Sequence, residues 1–335
     1  MEFNSNINNI NGTFKIRGAK YFYKVLNNDE YIMEKNGYKI LKKYYKLPKL
    51  IAADDNNSVV IYEYNESHKK NEGLLVDFFA LSESLTDEYY TIFNEYINVF
   101  FETIKYVKKG NCKIFFEKRL RTRLKDNVDY IKSLKLGNKQ LKLNGVLVDL
   151  DVSGLFNDLC KYFNSLGNEW CVISNGDPND MNISLDGMMF DYTGGGRVPL
   201  ACEFAVFACY NLIQGEYLSL KYNKKAFKKH TKIYKHLNKC RNTLKSITHK
   251  PRRVRISAVE FYAKSIIEPL LDKVGYVKWY DDFKYYFIMK LLAVFKFDKM
   301  SKKDILMSLG YAQLFYEAKI NDINEFISFI KKIYE

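Results

Sequence analysis

Arginine is scarce in this chain. Only nine of the 53 basic residues are Arg, and the other 44 are Lys. The formal net charge is +14, which on its own suggests an anionic partner. Proteins that read phosphate and nucleic acid favour the planar guanidinium fork, and Asn, Ile and Tyr are abundant alongside Lys. The excess therefore reads as compositional bias, and nucleic-acid binding is not expected. The six cysteines, Cys112, Cys160, Cys171, Cys202, Cys209 and Cys240, form no Cys-x-x-Cys pair and no zinc spacing. Most lie in apolar contexts, as buried free thiols do, and a reducing compartment fits them. His230, His236 and His249 show no metal-ligand spacing. No apolar run approaches the roughly 20 residues that span a bilayer. The best, from Tyr285 to Phe297, is interrupted by Lys290 and Lys296. The start, Met-Glu-Phe-Asn-Ser-Asn, is polar and lacks the apolar segment of a signal peptide. No internal repeat is visible, and a soluble, cytoplasmic protein is expected.

What is present is enough apolar material for a large core: 335 residues, 47% hydrophobic and 27% charged. One large domain or two lobes is expected. Residues 1 to about 11 are Asn-rich and read as a loose start. Gly12–Arg17 and Lys20–Leu26 alternate apolar and polar on either side of Gly18-Ala19, which predicts a β-hairpin. Lys24 sits near the end of its second strand. Tyr31, Glu34, Tyr38 and Leu41 recur every three or four residues, so a helix would aim Glu34 inward with the apolar side. A buried Glu is costly unless paired, and Glu30 is the competing candidate for that inward acid. Val59–Tyr64 reads as a further strand.

From about residue 66 the chain turns helical. Tyr89–Lys108 carries an apolar stripe and ends at Gly110; Phe115–Leu134 is a second helix, with Arg119, Arg121 and Arg123 read as solvated. Ser153 reads as the N-cap of Gly154–Ser165, and Glu203–Leu220 as a core helix. The basic stretch 228–255 reads as a solvated face, with recognition of an anionic substrate or an acidic surface as the functional alternative. Further helices are predicted over Ile256–Val274, Lys278–Phe297, Ser301–Ala318 and Asp322–Tyr334.

The most informative stretch is Val172–Asp191. Trp170–Ile173 is a short apolar strand, and Asn175-Gly176-Asp177-Pro178-Asn179-Asp180 is loop chemistry. Asp186-Gly187 signals a two-residue hairpin turn between Asn182–Leu185 and Met188–Asp191. In that register Asn182 faces Asp191, with Cβ atoms roughly 5 Å apart. An amide oxygen and a carboxylate at that separation can share a hard cation. Asp177, five residues before Asn182, has its carboxylate free for another task.

An Asp followed by Asn five residues later, with a downstream Asp, is the base-and-metal arrangement of kinase-type phosphoryl transfer. The wording Asn175-Gly176-Asp177-x-x-x-x-Asn182, then Phe190-Asp191-Tyr192, then Pro199 and Glu203-Phe204-Ala205, resembles the aminoglycoside phosphotransferase/choline kinase-like family. That family usually has His where Asn175 stands and Asp where Glu203 stands. The resemblance covers roughly residues 20–220. It implies an α+β, two-lobed protein-kinase-like fold, with a small β-rich nucleotide-binding lobe over 1–64 and a helical catalytic and acceptor-binding lobe over 65–335. It implies ATP and Mg²⁺, with Asp177 as catalytic base and Asn182 and Asp191 as metal ligands. Lys24, braced by Glu34, would grip the phosphates, and Glu63, Tyr64 and Asn65 would form the hinge at which adenine docks through backbone hydrogen bonds. Thr193-Gly-Gly-Gly-Arg197 could approach the transferring phosphoryl group or simply link to the next helix. No Gly-x-Gly-x-x-Gly loop is present; the hairpin offers only Gly12 and Gly18. That argues against a protein kinase and not against phosphotransfer. The acceptor implied is a hydroxyl of a small molecule. The basic balance disfavours a polycationic aminoglycoside, whereas 27 Tyr and 24 Phe leave material for a choline-type aromatic cage. The competing class is a kinase-shaped module that binds nucleotide or a partner without turnover.

Overall fold

The computed structural model describes residues 2–5, 10–65, 73–108, 111–165, 167–227 and 241–334. Five antiparallel strands form the amino-terminal sheet: β1 (Glu2–Ser5), β2 (Ile10–Ile16), β3 (Ala19–Val25), β4 (Leu50–Asp54) and β5 (Val59–Glu63), in the order β1-β2-β3-β5-β4. The expected hairpin is β2–β3. Its turn is Arg17-Gly18 rather than Gly18-Ala19, and both residues have positive φ (49° and 86°), as a type I′ turn requires. The Asn-rich start, expected to be loose, contributes β1, whose four residues pair with β2.

Between β3 and β4 runs helix α1 (Asn28–Leu41), opened by Asn27, whose side chain accepts from the Glu30 amide. The predicted inner face is the buried one: Tyr31, Glu34 and Leu41 are almost fully covered. Tyr38 of α1, Tyr62 of β5 and Tyr192 of the second lobe form a ring cluster with centroids 5.3–5.7 Å apart. Such tilted and edge-on geometry is favourable for aromatic pairs, and here it ties sheet, helix and second lobe together.

The remainder is mostly helical, so the expected two-lobed α+β architecture is what the chain adopts. Its interior is dominated by aromatic rings from the Asp87–Thr103, Leu200–Cys209 and Trp279–Ala293 helices. A central three-stranded sheet, Lys105–Val107, Glu169–Ser174 and Gly196–Pro199, carries the stretch around Asp177. That sheet explains one departure from expectation. The helix predicted to run to Lys108 stops at Thr103, because Lys105–Val107 pairs with Glu169–Cys171; its expected stop at Gly110 lies outside the described residues. The helix expected to start behind Ser153 is capped instead by Asp151, which accepts from the Gly154 amide at 2.9 Å. The Asn111–Arg119 helix passes through a wider π-helical turn, Leu120–Leu124, into Lys125–Ser133.

The basic stretch is not a uniform solvated face. Residues 228–240, with His230 and His236, lie outside the described residues. Beyond them Ser246–Thr248 pairs in parallel with Gln140–Leu143, while His249 and Arg255 are buried. Among the described residues no helix is long and apolar enough to cross a membrane.

Gly37 marks where α1 meets the second lobe. A Cβ there would lie 2.0 Å from the Tyr192 carbonyl oxygen, an impossible approach. Helix propensity alone favours Gly→Ala by about 1 kcal/mol; overpacking against backbone costs roughly 1–3 kcal/mol or more. Gly37→Ala is therefore expected to lower the urea midpoint. A midpoint equal to or above the parent's would contradict this packing.

Candidate functional site

Strand Glu169–Ser174 delivers the chain into a loop held from three sides. Ser174 Oγ accepts from the Gly176 amide at 3.2 Å and donates to Glu203 Oε2 at 2.6 Å. Glu203 is fully buried, and burial pushes its carboxyl up to about 7. Asn175 Oδ1 accepts from the Asp177 amide at 3.2 Å, and its Nδ2 reaches the Phe190 carbonyl at 3.4 Å. Gly176 has φ +72°, and a Cβ on it would stand 2.9 Å from the Gly194 carbonyl. The glycines after Tyr192 thus let two loops touch backbone to backbone.

The third brace is ionic. Asp180 pairs with Arg255, which is buried with it and also meets Glu216 Oε1 at 3.0 Å. Burial alone would discourage the Arg255 charge; the two carboxylates more than offset that and raise its pKa. The Asp180 carbonyl accepts from the Val76 amide at 3.0 Å, so the loop is also tied to the Leu75–Leu81 helix.

Within this frame the Asp177 carboxylate accepts at Oδ1 from Lys290 Nζ at 2.7 Å. Asn182 donates through Nδ2 to the Asp177 carbonyl at 3.0 Å, which fixes the amide nitrogen inward and leaves the amide oxygen as its other end. The hairpin after it differs from the expected one. The Ser184 amide donates to the Met188 carbonyl and the Phe190 amide to the Asn182 carbonyl, with Ile183 opposite Met189. The connection is the three residues Leu185-Asp186-Gly187, with Gly187 at φ +77°. Asn182 therefore opposes Phe190, not Asp191. The Ser184 hydroxyl is the physical reason: it takes the Met188 amide at 3.0 Å, a bond that a two-residue turn would not form.

Asp191 reaches the site by another route. It sits in the left-handed region at φ +61°, costly for a residue with a Cβ and common at functional sites. There its Oδ1 accepts from Lys24 Nζ at 2.8 Å, and Lys24 also donates to Glu34 Oε1 at 2.8 Å. Burial lowers the Lys24 pKa, but the two carboxylates outweigh it and hold the ammonium well above its usual range. Lys24 in turn keeps Asp191 below the carboxylate range, against the effect of its burial. Glu34 is saturated: Tyr62 hydroxyl, Tyr192 amide and Thr193 hydroxyl also donate to it at 3.1, 3.1 and 2.8 Å. It is Glu34 rather than Glu30 that pairs with Lys24.

One cleft of about 500 Å³ between the lobes is lined by Lys24, Glu63, Tyr64, Asn65, Asp177, Asn182 and Asp191, with Glu34 buried behind Lys24. Phe22 shares a face of β3 with Lys24 by strand alternation and enters from the small lobe; Met181 and Phe190 enter from the other. Arg197 is not in this cleft: it donates to the Thr103 carbonyl at 2.5 Å and pins strand to helix. Four cleft cations, Lys225 among them, went unread in the sequence. Lys290 comes from the Trp279–Ala293 helix, and Arg119 and Arg123, expected to be solvated, also line the cleft. The Arg pair carried a signal, since residues four apart share a helix face. Lys290 carried none.

No family model matches the chain, and no curated protein matches it. Among solved structures, that of spectinomycin phosphotransferase APH(9)-Ia in complex with ADP and spectinomycin aligns over 99% of this chain and 92% of that one, at 8% identity and a TM-score of 0.42. So distant a likeness says nothing about chemistry; the side chains of the cleft do.

Glu203 supplies a pH test. Its folded pKa of about 7 lies above the ordinary Glu value of 4.5, so the folded state holds a proton the unfolded chain has lost. Stability then falls as pH rises from about 4.5 to about 7 and levels off above. Relative to Glu203→Gln, the parent's melting temperature is expected to drop across that window. Parallel curves would show that Glu203 is ionised throughout.

Proposed function

We propose that this protein is an ATP-dependent phosphotransferase that moves the γ-phosphoryl group to a hydroxyl of a small molecule. The observation that carries the reading is the Lys24 ammonium shared between Glu34 and Asp191 in the same cleft as Asp177. In kinase-type sites such a paired lysine grips nucleotide phosphates. The purine would lie between Phe22 and the Met181–Phe190 floor, against the backbone of Glu63, Tyr64 and Asn65. On this reading residues 1–64 are the nucleotide-binding lobe and 65–335 the catalytic and acceptor-binding lobe.

Asn182 and Asp191 fit Mg²⁺. One carboxylate and one amide oxygen, with phosphates and water completing the shell, is its usual holding, and the anchored Asn182 nitrogen leaves the oxygen for that use. Among the described residues no group of three or more His, Cys, Asp or Glu could form an all-protein cage. When bound, the ion neutralises charge on the β- and γ-phosphates. The chain's own residues do the rest. Lys24 holds the phosphates, and Lys290 and the loop braces fix Asp177. Asp177 orients the acceptor hydroxyl and takes its proton as the new O–P bond forms and the bond from γ-phosphorus to the ADP oxygen breaks.

Asp177→Asn keeps the shape and removes the base. It is expected to lower kcat for acceptor-dependent ATP turnover by about 10²–10⁴, with ATP affinity essentially unchanged. Unchanged turnover would overturn the assignment. Nucleotide binding with no turnover even in the parent would favour a kinase-shaped binding module.

A further inference from the structure

We infer that the acceptor carries an anionic group, a carboxylate or phosphate, beside the hydroxyl it presents to Asp177. The inference rests on the phosphotransferase reading and names the substrate class of that same cleft. Away from the hinge the cleft wall is built by Phe115, Phe116, Arg119 and Arg123 on one side and by Lys290 and Phe295 on the other. With Lys225, that region presents four cations. The carboxylates around them include Asp177, held by Lys290, Asp126 near Arg123, and Glu30 of the small lobe, which acts on Arg119 only from beyond ion-pair distance. Lys290 is nearly buried, its side chain 13% exposed, and its ammonium sits on the base itself. Asp177 Oδ2 makes no hydrogen bond among the described residues, so the hydroxyl binds there, next to Lys290.

Arg119 is the second anchor. It is half-buried, lies against the Phe115 ring at 4.9 Å and forms no ion pair with a carboxylate among the described residues. Burial first, and the nearby Arg123 second, push its pKa down to about 10, so it is still charged at neutral pH. Arg123 is fixed by donating to the Val294 carbonyl at 2.6 Å, one helical turn from Lys290. Arg119, half-buried beside Arg123, is the cation that an entering anion would stabilise most. A planar guanidinium is the group suited to carboxylate or phosphate. A polycationic or quaternary-ammonium acceptor would meet Lys290 and Arg119 at once, with Asp177 already engaged.

The triphosphate of ATP has its own grip in Lys24, which Glu34 and Asp191 hold, while Lys290 sits on Asp177. Chemically the acceptor's anionic group is a spectator. The hydroxyl oxygen bonds to γ-phosphorus, the hydroxyl proton passes to Asp177, ADP departs with the bridging oxygen, and the carboxylate or phosphate stays unchanged between Lys290 and Arg119.

Sulfate is a probe small enough for such a subsite whatever the rest of the acceptor. The full-length protein is loaded with Mg²⁺ and a non-hydrolysable ATP analogue, so that the γ-phosphoryl position is filled, and titrated with sulfate against chloride at matched ionic strength. Saturable stabilisation by sulfate is expected, weakened tenfold or more in Arg119→Ala and in Lys290→Met. No saturable effect, or one undiminished in Arg119→Ala, a half-exposed position whose truncation leaves the core intact, overturns the inference. Failure of the analogue to bind overturns the phosphotransferase reading instead, and the titration of nucleotide-free protein still decides the anion subsite by the same comparison.

Discussion

One ammonium group holds the two lobes in register. Lys24 comes from a strand, Glu34 from the helix ten residues on, and Asp191 from a loop 167 residues away. None of the three is comfortable alone: an inward Glu, a nearly buried Lys and an Asp with left-handed backbone each cost free energy unless the others are in place. Removing one partner of the buried Lys24–Glu34 pair typically costs about 3–5 kcal/mol, because a buried charge is left unpaired. Glu34 extends the constraint by also taking the Tyr192 amide and the Thr193 hydroxyl, so the loop carrying Asp191 is fixed from both sides. The tyrosine cluster of residues 38, 62 and 192 packs beside Glu34, the fully buried member of this ionic knot.

The Asp177 loop is held by different means toward the same end. Glu203 acts through Ser174 on the Gly176 amide, Asn175 bonds the amide of Asp177, and Arg255 fixes Asp180. The two places where the wording departs from the resembled family, Asn175 and Glu203, are both among these braces. Asn175 can donate to the Phe190 carbonyl while accepting from Asp177, and the Glu203 carboxylate is within 2.6 Å of Ser174. Neither departure leaves the loop unsupported. The cost is a set of buried polar groups, which are tolerated only while every bond is made.

Much of this was legible because it is written in local periodicity. Strand alternation put Lys24 near the end of a hairpin, and spacing by three and four aimed Glu34 inward; neither needed knowledge of the second lobe. The Asp186-Gly187 signal failed in register because it reports backbone preference only, and the Ser184 hydroxyl competes by taking the Met188 amide. Lys290 was illegible for a different reason. One lysine among 44, in an apolar helix 113 residues from Asp177, carries no mark of where tertiary packing will put it. Arg255 looked like part of a solvated basic run, and only the fold supplies Asp180 and Glu216 around it. Arg119 and Arg123 were readable as a pair four apart, which the alternation with Arg121 obscured.

If Lys24 is the organising cation, its loss should weaken nucleotide binding as well as the fold. The direct measurement is calorimetric titration of Mg²⁺-ATP into the parent and into Lys24→Met, with circular dichroism verifying that the variant is folded. Saturable binding by the parent, weakened at least about tenfold in the variant, or roughly 1.4 kcal/mol, is the expected result. Equal affinity in a folded Lys24→Met protein would contradict the account.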